Sequence, residues 1–153
     1  MIEAAKTKPF GYMPFHPGPG LDGHCIPIDP FYLTWKSREY QRPTRFIEPA
    51  GEINSAMPRH IVGRLAEALD MRLGRALSRS KVLAFGLAYK KNVADIRESP
   101  SLKLIELIEH RGGSASFHVP HVAEIPRTRG YMAQMGRQSV RLTKKCCART
   151  TWS

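Results

Sequence analysis

Residues 82–119 run VLAFGLAYKKNVADIRESPSLKLIELIEHRGGSASFHV. Val82 to Tyr89 is short and apolar throughout, the pattern of a strand buried on both faces. Ser99 followed by Pro100 marks a helix start, because the amide that proline lacks is one the first turn leaves unused. Leu102, Ile105 and Leu107 or Ile108 repeat along that helix, and Gly112-Gly113 stops it. Ala115 to Val119 is the next strand. Strand, helix and strand in this order make a βαβ unit, the building block of a parallel sheet. The fold class is therefore α/β.

Upstream, the pattern from Phe46 to about Leu77 is helical. Ile47, Ala50, Ile53 or Asn54, Met57, Ile61, Leu65, Leu69 and Leu73 recur at three- and four-residue steps and predict one continuous apolar stripe. Pro58 either starts a second helix or kinks one long helix, since it removes a backbone donor. A helix near 30 residues would be ~45 Å long, more than a small domain covers by itself, and its spare surface predicts a partner helix and a dimer. Before it, Asp29 as N-cap with Pro30 behind it predicts a shorter helix through FYLTWKSREY.

Residues 8–30 are a loop, because prolines at 9, 14, 17, 19, 27 and 30 alternate with Gly11, Gly18, Gly20 and Gly23. Gly18-x-Gly20-x-x-Gly23 spells a dinucleotide fingerprint, but a working one follows a strand and opens a helix. Here Met13-Pro14-Phe15-His16-Pro17 precedes it and Pro19 interrupts it, so it is a false match. His16, His24, Cys25 and Asp29 are ligand types, yet one cysteine and scattered histidines, with His118 and His121 apart, do not meet the pairing of a structural zinc site. No metal is expected. The remaining choices for Cys25 are a nucleophile in a glycine-lined loop before a helix start, or a small buried hydrophobe.

Bulk properties set the frame. The chain has 153 residues, enough for about one domain. It has no run of apolar residues long enough to span a membrane and no basic-then-apolar leader at MIEAAKTKPFGYM, so the cytoplasm is the expected location. Cys25, Cys146 and Cys147 make no disulfide framework. The net charge is +11, but no acidic residue follows Glu124, and Arg127, Arg129, Arg137, Arg141, Lys144, Lys145 and Arg149 contribute seven of those charges. The excess belongs to a tail without periodicity, which predicts that residues 124–153 are disordered or non-native. A basic nucleic-acid binder is the weakest function class, since such a tail gives only non-specific, salt-sensitive contacts.

Two segments are similar to a known family. FHPGPGLDGHCIPIDPFYLTWKSREY, residues 15–40, resembles the active-site segment of the UDP-glucose/GDP-mannose dehydrogenases, with the wording of the UDP-N-acetylglucosamine 6-dehydrogenase branch. GLAYKKNVADIRESPS, residues 86–101, resembles that family's second signature, at the start of its UDP-binding domain. The resemblance spans roughly residues 5–122. It implies that Cys25 is the catalytic cysteine, capturing a C6 aldehyde as a thiohemiacetal and later a thioester, and that it also lies at the cofactor site. It implies that Asp29 helps to position the hydrolytic water. It further implies that His16, Pro17, Gly18, Pro19, Gly20 and Leu21 wrap the sugar nucleotide. Tyr89 and Lys90 would hold its diphosphate, and Arg97 would contact NAD across a dimer.

The implied organisation is an active-site loop and central dimerisation helix over 1–79, a partial Rossmann-like UDP-binding domain over 80–123, and the basic tail over 124–153. The implied function is that of a fragment of an NAD-dependent UDP-sugar 6-dehydrogenase that oxidises UDP-N-acetylglucosamine to the uronate for polysaccharide precursors. The family's N-terminal Rossmann domain has no counterpart in this sequence, so the expectation is that NAD needs that domain and that this chain alone is inactive. Asp22 replaces a family glycine, and Val119 replaces the acid of an Asp-Pro-His. The alternative is a non-catalytic helical dimerisation remnant.

Overall fold

The computed structural model describes residues 1–8, 10–14, 16–21, 23, 25–88, 92–97, 99–128 and 130–143. Six elements follow in order: α1 Ile2–Lys6, α2 Asp29–Glu39, α3 Ile47–Leu73, β1 Lys81–Phe85, α4 Pro100–His110 and β2 Ser114–His118. Single 3₁₀ turns lie at Leu77–Arg79 and Met132–Gln134.

The βαβ unit forms. β1 and β2 pair in parallel, with Lys81 opposite Ser114 and Phe85 opposite His118. Between them α4 begins as its sequence predicts: the Ser99 hydroxyl accepts from the Ser101 amide at 3.2 Å, and Pro100 occupies the first turn. Its Leu102, Ile105 and Ile108 are buried, each contributing about 2 kcal/mol through burial. Gly112 then takes φ 80°, a left-handed conformation that suits glycine and closes the helix.

β1 is shorter than expected and half-exposed. It ends at Phe85, which is 63% exposed, and Gly86 at φ 87° turns the chain away. The run to Tyr89 is apolar because Leu87 enters the core from the following loop, so a strand pattern there records burial and not extension.

α3 is one helix. Pro58 lies inside it, and Gly74 at φ 55° caps its C-terminus. Its buried residues are Gly51, Pro58, Val62 and Leu69; of the predicted stripe Leu69 is buried and Leu65 packs on the core, while at the Ile53-or-Asn54 step Ile53 is exposed and Asn54 half-buried. α4 and α2 both pack on α3, with Phe31 of α2 against Gly51 and Val62 and Leu69 sharing the core with α4. Thr44 bonds the buried Thr34 hydroxyl at 2.8 Å, and Thr34 in turn donates to the Pro30 carbonyl at 3.1 Å, fastening the α2–α3 connection.

The expected disordered tail is corrected over its described part, residues 124–128 and 130–143. Ile125 is fully buried and joins the core. The Val140 amide donates to the Phe117 carbonyl at 2.9 Å, and Ser139 exchanges side-chain bonds with the Val119 backbone. Glu124 and Gln138 form an antiparallel bridge. This segment is a strap along β2. Polar backbone and side-chain bonds order it where apolar periodicity is lacking. Residues 144–153 lie outside the described residues.

Candidate active site

The loop before α2 and the start of α2 form the candidate site. Cys25 is exposed. Its carbonyl accepts from the Ile28 amide at 3.1 Å and from the Asp29 amide at 2.8 Å, so the helical turn begins at the cysteine itself. Asp29 is thus the first residue of α2 and Ile28 its N-cap, without a side-chain cap bond. That corrects the expected Asp29 cap. The carboxylate still stands in the first turn, where negative charge is favourable, and four residues put it about one turn beyond Cys25.

Gly20 and Gly23 take φ 146° and 77°, conformations that side chains rarely adopt. They bend the chain between His16 and Cys25. Among the described residues no strand leads into the three glycines, as a dinucleotide cradle would need. His16, Pro17 and Gly18 are exposed, while Pro19, Gly20 and Leu21 are half-buried. Gly20 rests on α3: a methyl there would lie 3.3 Å from Pro58 Cγ and 3.5 Å from the Asn54 carbonyl. Because proline carries no amide hydrogen, that carbonyl has lost the donor four residues on.

Beside the cysteine turn, Pro27, Ile28, Phe31, Tyr32 and Trp35 line an apolar cleft of about 430 Å³. Tyr32 and Trp35 meet edge to face at 5.6 Å, and the Lys36 ammonium sits 5.9 Å from the Trp35 ring. Cys25 and Asp29 thus stand about one turn apart where this cleft begins, and Gly20 of the His16–Leu21 loop rests on α3. Arg97 lies in the connection between β1 and α4, where its Nε and Nη2 bond both carboxylate oxygens of Asp95 at 3.0 and 2.8 Å. Tyr89, Lys90 and Asp22 lie outside the described residues. His118 Nδ1 is 2.7 Å from the Val140 carbonyl, a structural bond. Among the described residues no three ligand side chains gather for a metal.

Sequence reading missed Gly51 and Pro58 as supports of the site. The available signal was a glycine and a proline seven residues apart inside a helix, each costly there unless something packs on it.

Residues 1–56 match the central domain of the UDP-glucose/GDP-mannose dehydrogenase family, and residues 83–150 match that family's UDP binding domain. The chain belongs to the UDP-glucose/GDP-mannose dehydrogenase family. A UDP-N-acetyl-D-mannosamine dehydrogenase of Methanococcus maripaludis is 37% identical over 108 residues, covering 71% of this chain and 24% of the relative. An NDP-N-acetyl-D-galactosaminuronic acid dehydrogenase of Ralstonia nicotianae is 32% identical, covering 72% and 24%. The solved UDP-D-ManNAc dehydrogenase from Pyrococcus horikoshii superposes with a TM-score of 0.68 at 35% identity, over 79% of this chain and 28% of that one. The chain spans about a quarter of the length of these dehydrogenases. The match of residues 83–150 to the UDP binding domain agrees with the ordered strap. No described helix is long and apolar enough to cross a membrane.

Proposed function

We propose that these residues carry the cysteine half of an NAD-dependent UDP-N-acetylhexosamine 6-dehydrogenase, acting in the cytoplasm on precursors of polysaccharides. The observation that supports this most is an exposed Cys25 whose own carbonyl is held by the first amides of α2. The backbone of the thiol-bearing turn is thereby fixed at the start of α2, with the sulfur open to an incoming electrophile. The relatives' names carry mannosamine or galactosaminuronic acid, not glucosamine. The N-acetylmannosamine nucleotide is therefore the first substrate to try, ahead of the N-acetylglucosamine nucleotide expected from the wording of residues 24–36.

The chain's own chemistry is addition and release. The Cys25 thiolate adds to the C6 aldehyde, forming a carbon–sulfur bond while the carbonyl pair moves to oxygen and takes a proton. At the thioester stage, water attacks the carbonyl carbon, the carbon–sulfur bond breaks and the thiol is restored. Asp29, about one turn away, orients that water. The His16–Leu21 backbone wraps the sugar nucleotide, and Tyr89 and Lys90 hold its diphosphate. The oxidations need a hydride acceptor, NAD by family. The described residues do not cradle it: the glycine motif lies in a loop and the Arg97 guanidinium is bonded to Asp95. Our reading is that NAD is held by the family's other domain and that these 153 residues alone are inactive.

The test is protection. Iodoacetamide labelling of Cys25, followed by peptide mass mapping, is slowed by UDP-N-acetyl-D-mannosamine and less by UDP alone. Equal labelling with and without the nucleotide sugar overturns the reading. A non-catalytic dimerisation module is the second reading, favoured by the exposed apolar residues Leu33, Trp35, Phe46 and Ile53. It predicts a dimer with no protection of Cys25.

A further inference from the structure

The Phe31 ring lies directly against Gly51 of α3. A methyl built at Gly51 would overlap Phe31 Cζ and lie 2.6 Å from Cε1, closer than carbon atoms approach. The obstacle is the end of the Phe31 ring, which also lines the cleft, so a side chain at 51 displaces that ring from its seat on α3. Phe31 stands two residues after Asp29 in the first turn of α2. The Phe31 and Tyr32 amides donate to the Ile28 carbonyl at 3.1 and 3.0 Å, and the Ile28 and Asp29 amides donate to the Cys25 carbonyl. These successive backbone bonds link the segment that carries Phe31 to the cysteine turn. Along the same stripe of α3, two turns on, Pro58 supports Gly20.

We infer that Gly51 is a positioning residue for Cys25: the bare backbone at 51 is a socket for the Phe31 ring, and that socket sets where the thiol-bearing turn stands relative to the Gly20 loop on the same helix. The inference rests on the reading of Cys25 as the covalent residue. Gly51 touches no substrate. It acts through Phe31, and its cost as a glycine inside a helix is the cost of that placement.

The experiment is the rate of Cys25 modification by iodoacetamide in the full chain, read by peptide mass mapping so that Cys146 and Cys147 do not interfere. Gly51→Ala lowers the rate about threefold or more, because the turn that presents the sulfur to solvent loses its seat on α3. Phe31→Leu in the Gly51→Ala background returns the rate towards wild type, which a loss of general stability would not do. Phe31→Ala alone, which empties the socket without crowding it, lowers the rate in the same direction and serves should Gly51→Ala fail to fold. Unchanged rates in the folded Gly51→Ala and Phe31→Ala proteins overturn the inference while leaving the Cys25 reading intact. A wild-type Cys25 that does not react overturns both.

Discussion

Arg137 Nη1 donates to Glu109 Oε1 at 2.8 Å, joining the strap to the last turn of α4 across 28 positions of sequence. The other terminal nitrogen of the same guanidinium donates to the Ala115 carbonyl at the start of β2. One side chain therefore fastens the strap to both members of the α4–β2 pair.

Arg137→Ala frees the strap. Both ends of the ion pair are partly exposed, so the pair itself contributes little, and the bond to a part-buried carbonyl contributes most. The expected loss is about 1 kcal/mol. A lowered urea midpoint and earlier proteolytic cleavage within residues 130–143 check it.

Ile125→Ala tests whether the strap belongs to the core. Ile125 is fully buried, and removing its branched side chain leaves a cavity worth about 3 kcal/mol. A tail without structure would show no change in midpoint.

Cys25→Ser leaves stability within about 0.5 kcal/mol, because the side chain is exposed. Aldehyde capture disappears. The urea midpoint checks the first outcome. Intact mass after incubation with the C6 aldehyde of the UDP-sugar checks the second.

Ile53→Glu acts on association. Ile53 is 63% exposed on α3 although the apolar periodicity placed it inside, and a partner helix would cover it. Light scattering gives twice the chain mass for the wild type and a monomer for the variant, while the α-helical signal is unchanged.

The βαβ unit was legible because two punctuation marks, Ser99-Pro100 and Gly112-Gly113, bracket an apolar repeat that only one secondary structure satisfies. The long helix was legible in extent but not in facing. Leu69 of the predicted stripe is buried, but Gly51 and Pro58 are buried contacts too, and neither registers as apolar periodicity. The strap was illegible for a related reason. Gln134, which is 2% exposed and bonds the Leu102 carbonyl at 3.0 Å, is held by a polar partner far away in sequence, and no local pattern announces such a residue. At the site, the false glycine fingerprint could be rejected from its prolines alone. The shift of Asp29 from cap to first helical residue needed the bonds to the Cys25 carbonyl.

The two strands are unequal at their outer rims. β2 is lined by the strap, whereas β1 pairs, among the described residues, with β2 alone. An edge with no second strand among the described residues, beside an exposed Phe85, is a margin onto which another extended chain can zip. On heating, molecules that open there glue to one another before they can close again. The melt of this polypeptide is then irreversible, and its apparent midpoint rises with scan rate.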